Sequence, residues 1–330
     1  MKSPRGEFLI TVVSSDVGQR FDRLVSFYIP DCSRSFAATL IQDGHITIEN
    51  KIKKPGYRVK PGETLQGCIP VYEPPSLSPE AIPLNILFED SDLIVINKPA
   101  GLVVHPAPGH DTGTLVNGLL YHCPELGGIN AELRPGIVHR LDKDTTGAMV
   151  VAKNRWALEN LSQQFKERVV QKTYLALVHG AVRSESGIIS LPIGRHPMDR
   201  KKMSTISPRG REARTIWRVK IRYEAATLLE LELKTGRTHQ IRVHCTSMHH
   251  PIVGDAVYTY QKRGRKKRNK TPLEILLASA RRQMLHARHL SFIHPVEKQS
   301  LSFTAPIPDD MQALLDGLPP DSGQDQPLGT

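Results

Sequence analysis

The chain has 330 residues, with 44 Lys and Arg against 33 Asp and Glu, which gives a formal net charge of +11. No run of about eighteen apolar residues occurs, which excludes a transmembrane helix, and the N-terminal segment lacks the apolar core of a signal peptide. The four cysteines form no C-x-x-C pair, which argues against zinc and disulfides, so we expect a soluble cytoplasmic protein.

The length exceeds that of one average domain, so two domains are expected. The basic excess favours a polyanionic partner, most often a nucleic acid, because neutralising phosphates releases bound counterions. The alternative is that the charge only keeps the protein soluble.

The sequence of the N-terminal part predicts a small basic domain. Residues 18–43 predict two short helices, interrupted at Pro30, with Ser33 as the N-cap of the second helix. Ile46 and Ile48 then alternate with polar residues, as in a strand. This part resembles the S-four-type RNA-binding domain, although an unrelated helical cap is the alternative. Its candidate RNA contacts are Arg20, Arg23, Arg34, Lys51, Lys53, Lys54 and Arg58.

A proline-rich segment, "VYEPPSLSPEAIPLN", predicts a linker. We therefore expect an RNA-binding domain over 1–75, with its core at 18–66, and a second domain over 76–320. The polar, Pro- and Gly-rich residues 321–330 are expected to be disordered.

The second domain predicts strands interspersed with helices. "ILFEDSDLIVINKP", "QKTYLALVHGAV", "ARTIWRVKIRYEAATLLELELKTG" and "HLSFIHPVEKQSLSFTAP" are typical of strands, whereas "GTLVNGLLYHC" and "RWALENLSQQFKER" have helical periodicity. This order predicts an α+β fold, with a mixed sheet and helices on its faces.

An insertion near the C-terminus concentrates positive charge. Seven of the nine residues from Lys262 to Lys270 are Lys or Arg. The segment is either a solvated loop or an RNA-contacting extension, with Arg263 and Arg265 as candidate phosphate contacts.

The stretch "RPGIVHRLDKDTTGAMVVAKN", residues 134–154, places charged residues between two apolar runs. Asp142 is flanked by Arg140 and Lys143, which favours its ionised form, so it is a candidate nucleophile. Asp144 is expected to hydrogen-bond turn amides. A merely charged turn is the alternative for the whole stretch.

A second charged cluster, "ELKTGRTHQIRVHCTSMHHP", occupies residues 232–251. Alternation in "THQIRVH" predicts a strand that places Arg242 opposite His239, Ile241 and Val243. Arg242 is a candidate partner for a buried carboxylate or a phosphate. A metal site at the histidines lacks supporting Cys or carboxylate spacing, and the "TGRTHQ" turn lacks the pattern of a phosphate-binding loop.

Four motifs, "NKPAGLVVHP", "HRLDKDTTG", "QKTYLALVHG" and "TGRTHQIRVH", occur in one order along the chain. In this combination the chain closely resembles the RluA family of pseudouridine synthases, in particular its large-subunit ribosomal RNA members, over roughly residues 18–320. The resemblance implies the pseudouridine synthase fold and an isomerase that needs neither cofactor nor metal. The implied partner is large-subunit ribosomal RNA, modified by a monomer without membrane attachment.

The same resemblance implies roles for individual residues. Asp142 matches the catalytic aspartate, Arg242 the basic residue that pairs with it, and Tyr174 the tyrosine that packs against the target base. Arg140 matches the residue that fills the gap when uridine leaves the helix.

Four further residues have weaker assignments. His139 is expected to line the site, and Leu233 or Ile241 to form its apolar wall. Lys98 is expected to serve the scaffold. The basic insertion is longer than the family pattern.

Two other functions remain open at this point. A catalytically silent RNA-binding assembly factor should have lost the aspartate or the tyrosine. A glycosidase-like enzyme acting on nucleosides would not need a basic RNA-binding module. Transfer RNA is the alternative substrate.

Overall fold

The computed structural model describes residues 7–29, 32–68, 77–106, 110–128, 134–199, 202–259 and 271–321. The chain divides into two compact units, Met1–Pro74 and Pro75–Thr330. The basic insertion, with Arg263 and Arg265, lies outside the described residues, as does most of the expected disordered tail.

The first unit combines two helices with a three-stranded antiparallel sheet of order β1-β3-β2. Its elements are β1 (Glu7–Thr11), α1 (Phe21–Tyr28), α2 (Arg34–Gln42), β2 (Ile46–Ile48) and β3 (Thr64–Cys68). The prediction of two helices followed by a strand is therefore confirmed.

The helices of this unit form where local signals and burial agree. The Ser33 side chain accepts a hydrogen bond from the Phe36 amide, which satisfies an otherwise unpaired N–H at the start of α2. Phe21, Leu24 and Val25 recur at helical spacing and are fully buried in a small core of this unit.

The second unit is built on a nine-stranded sheet. The strands of the whole second unit, inside and outside this sheet, begin with β4 (Ile86–Glu89), β5 (Leu93–Lys98), β6 (Thr146–Ala152), β7 (Gln171–His179) and β8 (Ser186–Ser190). They continue with β9 (Gly194–Arg195), β10 (Met203–Ser204), β11 (Arg214–Arg222), β12 (Ala226–Leu233), β13 (Leu285–Ile293) and β14 (Ser300–Thr304). Its helices are α3 (Leu115–His122), α4 (Arg155–Glu167), α5 (Gln240–Ser247), α6 (Pro272–Ala278) and α7 (Asp309–Gly317).

The strand order is β4-β5-β6-β13-β7-β12-β11-β8, with β14 paired to β13, and β9 and β10 form a separate hairpin. Within this sheet β6 and β13 are parallel and the other described pairs are antiparallel. The expected α+β class, with a mixed and mainly antiparallel sheet, is confirmed.

Both faces of the sheet are covered near β5 and β6. Ile94 and Ile96 point to the core that contains α3, whereas Leu93 and Val95 point to the core that contains α4. Alternate side chains of a strand face opposite sides, so a strand covered on both faces is apolar throughout. This accounts for the continuous apolar run of β5.

A tight backbone approach fixes the start of β6 and hence the loop before it. Gly147 has φ +117°, and a Cβ atom there would lie 2.2 Å from the carbonyl oxygen of Ala287 on β13. Only glycine permits this conformation and this contact. The charged stretch after Val138 is therefore connected directly to the centre of the sheet.

The strand predicted for "THQIRVH" is wrong, because these residues lead into helix α5. The Gln240 side chain accepts hydrogen bonds from the Arg237 amide and the Thr235 hydroxyl, and donates to the Arg214 carbonyl. His239 adopts a left-handed conformation just before the helix. These tertiary contacts override the alternating pattern of apolar and polar residues.

Candidate active site

A cavity of about 320 Å³ opens where the loop before β6, the start of β7 and the start of α5 meet. Asp142, Tyr174 and Arg242 all line it. Residues far apart in the sequence are thus brought to one place by the central strands.

The centre of the cavity is an ion pair between Asp142 and Arg242. The Arg242 Nη1 atom donates to Asp142 Oδ2 at 2.9 Å. Arg242 also binds Asp255 through two hydrogen bonds, from Nε to Oδ2 at 2.7 Å and from Nη2 to Oδ1 at 3.0 Å. Asp255 is 1% exposed, so the guanidinium is held rigidly from behind and its remaining edge is aimed at Asp142.

The electrostatics of this trio favour a charged arginine. Burial alone would lower the pKa of Arg242, but the hydrogen bonds and charges of Asp255 and Asp142 raise it above its ordinary value. Asp142 is only partly buried and faces the cavity. Within the described residues, no side chain or amide donates to its second oxygen, Oδ1, which leaves that oxygen available to a substrate.

Tyr174 contributes an aromatic surface next to this carboxylate. It lies on β7 and is buried among core residues while it still lines the cavity. Burial, and next the negative charge of Asp142, raise the pKa of its phenol above the ordinary value. The hydroxyl therefore keeps its proton at neutral pH.

His139 lines the cavity, but its ring makes contacts with β6 and α4 that stabilise the fold. Its Nε2 atom accepts a hydrogen bond from the Val150 amide at 3.1 Å, and the ring stacks on Phe165 with centroids 4.6 Å apart. Burial, and next the charge of Lys172, lower the pKa of His139 to about 3. The imidazole is therefore neutral.

Arg140 lies at the rim of the cavity and is exposed. Within the part of the chain that the structure describes, its guanidinium has no hydrogen-bond or ion-pair partner. Leu233 and Ile241 both line the cavity and provide apolar surface there.

Lys98 contacts the loop that carries Asp142 and is fully buried. Its ammonium donates to the carbonyl oxygens of Pro99, Leu102 and Lys143 at 2.7, 2.9 and 2.8 Å. Burial lowers its pKa to about 7, although the charges of Asp144 and Asp142 oppose that shift. Lys98 thus ties the "NKPAG" turn to the loop that carries Asp142.

The turn role expected for the Asp144 side chain is not what the structure shows. The turn is closed by the Thr145 amide, which donates to the Asp142 carbonyl at 3.0 Å. It is the backbone carbonyl of Asp144 that accepts a hydrogen bond, from Arg282. Among the described atoms, the Asp144 carboxylate accepts none, because the backbone and Arg282 already fix the turn.

The candidate RNA contacts of the first unit divide into two groups. Arg20 and Arg34 pair with Asp22, and Arg58 donates to the Gly18 carbonyl, so these side chains also hold the unit together. Lys53 lies over the Tyr57 ring. The side chains that are exposed without such a contact in the described structure are Arg23, Lys51 and Lys54.

Several residues in or next to the cavity were not predicted from the sequence. Phe165, Lys172 and Arg237 line the cavity, and Asp255 and Tyr258 support it from outside. Phe165 lies within an ordinary helical pattern, and Asp255 lies in the short segment "GDAVY". No local pattern distinguishes either of them, since each acquires its position only through folding.

Comparisons with known proteins agree with this geometry. The model of the RNA pseudouridylate synthase family matches residues 92–247, and the S4 domain model matches residues 19–65. An uncharacterized RNA pseudouridine synthase of Synechocystis sp. is 45% identical over 94% of each chain. The ribosomal large subunit pseudouridine synthase D of Xanthomonas campestris pv. campestris is 43% identical, over 95% of this chain and 93% of that one.

Solved structures show the same likeness. Human RNA pseudouridylate synthase domain containing 4 superposes with a TM-score of 0.56 at 30% identity, covering 70% of this chain and 92% of that one. The chain belongs to the RNA pseudouridine synthase family and carries an N-terminal S4 domain. Among the described residues, none of the helices is long and apolar enough to cross a membrane.

Proposed function

We propose that this enzyme converts specific uridines of large-subunit (23S) ribosomal RNA to pseudouridine, with Asp142 as its catalytic carboxylate. The observation that carries the proposal is the cavity that Asp142 and Tyr174 both line, in which Asp142 is paired with Arg242 and Arg242 is held in turn by Asp255. The relatives named for the large ribosomal subunit support the choice of RNA. The basic S4 unit supports a polynucleotide rather than a free nucleoside.

The reaction breaks the bond between uracil N1 and ribose C1′ and forms a bond between C5 and C1′. The proton on C5 leaves and N1 gains one, so the isomerisation balances without a redox partner. A carboxylate can attack the nucleoside, stabilise the ribose cation or remove a ribose proton. Each route needs a correctly aimed carboxylate oxygen, and the ion pair with Arg242 orients Asp142.

Tyr174 and the apolar wall hold the detached base while it turns. The Tyr174 ring offers a stacking face, and Leu233 and Ile241 add apolar surface to the cavity lining. Because the phenol keeps its proton in the free protein, its hydroxyl enters a late proton transfer in the protonated form.

Arg140 replaces the uridine in the RNA helix. A flipped base leaves an unstacked gap that costs a few kcal/mol. Arg140 is exposed at the cavity rim and its guanidinium is free within the described structure. Its planar head is suited to stacking between bases.

The two units have different roles in the proposed function. Residues 1–75 anchor the RNA through basic side chains, residues 76–320 carry the chemistry, and the enzyme acts in the cytoplasm as a monomer. The basic insertion, with Arg263 and Arg265, adds phosphate contacts.

The test is pseudouridine mapping on 23S ribosomal RNA and on transfer RNA, by carbodiimide treatment and primer extension. Wild-type protein is expected to produce stops at specific positions of 23S RNA, and Asp142→Asn none. Asp144→Asn is the matched control, since that carboxylate accepts no hydrogen bond from the described residues, and it should retain activity. Equal modification by wild type and Asp142→Asn would overturn the catalytic assignment, and stops confined to transfer RNA would overturn the choice of substrate.

A further inference from the structure

His239 occupies a strained position beside the catalytic carboxylate. Its backbone is left-handed, with φ 55° and ψ 23°, although it is not a glycine. Its Nε2 atom lies 3.8 Å from Asp142 Oδ2. A non-glycine residue in this conformation is uncommon and carries an energetic cost, and such residues recur at functional sites. With this backbone conformation the imidazole lines the cavity.

Tyr258 contacts one nitrogen of this imidazole and bears on which of the two carries the proton. The Tyr258 hydroxyl oxygen accepts a hydrogen bond from the Met203 amide at 2.8 Å. The same oxygen lies 2.8 Å from His239 Nδ1. The amide can only donate, so the hydroxyl proton is available for Nδ1; in the arrangement where the hydroxyl donates to Nδ1, that nitrogen is unprotonated. Burial raises the pKa of Tyr258 to about 12, which keeps that proton in place at neutral pH.

With Nδ1 as the acceptor, the N–H group of His239 is at Nε2 and faces Asp142. Burial lowers the pKa of His239. The negative charges of Asp142 and Asp255 oppose this shift, and the positive charges of Arg242 and Arg140 reinforce it. The net direction is downward, which favours a neutral ring. The neutral ring keeps one N–H, directed at the carboxylate.

The two oxygens of Asp142 are therefore not equivalent. Oδ2 accepts from Arg242 Nη1 at 2.9 Å and is also the oxygen faced by His239. Oδ1 has no donor within the described residues. At 3.8 Å the His239 contact is longer than a hydrogen bond, and catalytic contacts of this kind commonly shorten when the substrate binds.

We propose that His239 is a positioning residue whose tautomer is set by Tyr258 and which, with Arg242, anchors Asp142 Oδ2 so that Oδ1 meets the uridine. The proposal rests on the function proposed above and adds to it the orientation of the carboxylate. Tyr258 is also held by strand β10 through Met203, so the β9–β10 hairpin takes part in aligning the catalytic group.

The tautomer is measured first, on the free protein, by long-range proton–nitrogen NMR with ¹⁵N-labelled histidine. The His239 signals are identified as those lost in His239→Asn. Wild type is expected to show the Nε2–H form at pH 7, and Tyr258→Phe a mixture of both neutral forms. An Nδ1–H or doubly protonated ring in wild type would overturn the proposal, independently of whether the protein modifies RNA.

Kinetics separate orientation from folding. Tyr258→Phe keeps the ring over Arg242, and it is expected to lower kcat about 3- to 10-fold with KM within twofold, the effect of one lost hydrogen bond. Asparagine tolerates the left-handed backbone but ends short of the Nε2 position, so His239→Asn should fold and lose more than 10-fold in kcat. His239→Gln, which restores an N–H at that reach, should recover part of the loss.

His249 is the matched control for strain. It is exposed and also left-handed, with φ 65°, so His249→Asn should leave kcat unchanged. Wild-type kcat in His239→Asn, or equal losses in both asparagine variants, would refute the positioning role. If wild type makes no pseudouridine at all, the proposed function fails instead, and the NMR result still reports the tautomer.

Discussion

Replacing Asp255 with alanine tests whether Arg242, the proposed partner of the catalytic carboxylate, is held in place by Asp255. Arg242 is 5% exposed and Asp255 is 1% exposed, and the pair shares two hydrogen bonds. Removing one partner of a buried ion pair costs about 3–5 kcal/mol, and without Asp255 the buried guanidinium would keep Asp142 as its carboxylate partner. Asp255 also accepts from the Val257 and Tyr258 amides, so its loss frees further buried donors.

This cost in the free energy of unfolding corresponds to a decrease in melting temperature. For a unit of this size, 1 kcal/mol corresponds to about 2–4 °C, so Asp255→Ala is expected to lower the transition of the second unit by about 6–20 °C. Both tryptophans of the chain, Trp156 and Trp217, lie in that unit. Their fluorescence therefore follows its unfolding without interference from the first unit.

Asp310→Ala is the control for removing a carboxylate from a buried arginine. Asp310 binds Arg282 through two hydrogen bonds, but its side chain is 51% exposed, and Arg282 retains two carbonyl partners. Its loss should cost less than half as much. A shift below about 2 °C for Asp255→Ala, or a shift equal to that of Asp310→Ala, would show that Arg242 does not depend on Asp255.

Three further expectations concern the loop that carries the site. Arg140→Ala should slow single-turnover modification at least 10-fold while the Kd for RNA changes less than twofold, because the side chain acts after docking; equal losses in both measurements would exclude that role. Gly147→Ala should destabilise the second unit by more than about 3 kcal/mol in thermal melts, whereas Gly101→Ala, also at positive φ but with open space around it, should cost about 1–2 kcal/mol. The pKa of Lys98 is about 7 in the folded protein and about 10.4 in the unfolded chain. Between these pH values the unfolded chain binds more protons than the folded protein. The contribution of Lys98 to the free energy of unfolding therefore rises with pH in this range, by at most about 1.4 kcal/mol per pH unit. Thermal melts from pH 7 to 9 should show this slope in wild type and a smaller one in Lys98→Met; identical slopes would contradict it.

The sequence alone went far toward the fold because its local signals agree with the tertiary structure. The Ser33 cap, the helical spacing from Phe21 to Val25 and the alternation in β11 and β12 all report structure that forms from neighbouring residues. The segment before α5 is the exception. Its alternation predicts a strand, but the side chain of Gln240 and the left-handed His239 impose a helix.

The composition and the four motifs by themselves determined the family, the basic RNA-directed character and the identity of Asp142, Tyr174 and Arg242 as candidates. These properties depend on residue type and spacing, which the sequence states directly. Only the tertiary structure decided what surrounds them, because Asp255, Tyr258 and Phe165 reach the site through contacts between distant segments. The pairing of Arg242 with two carboxylates, and the unequal oxygens of Asp142, follow from that packing and from no local pattern.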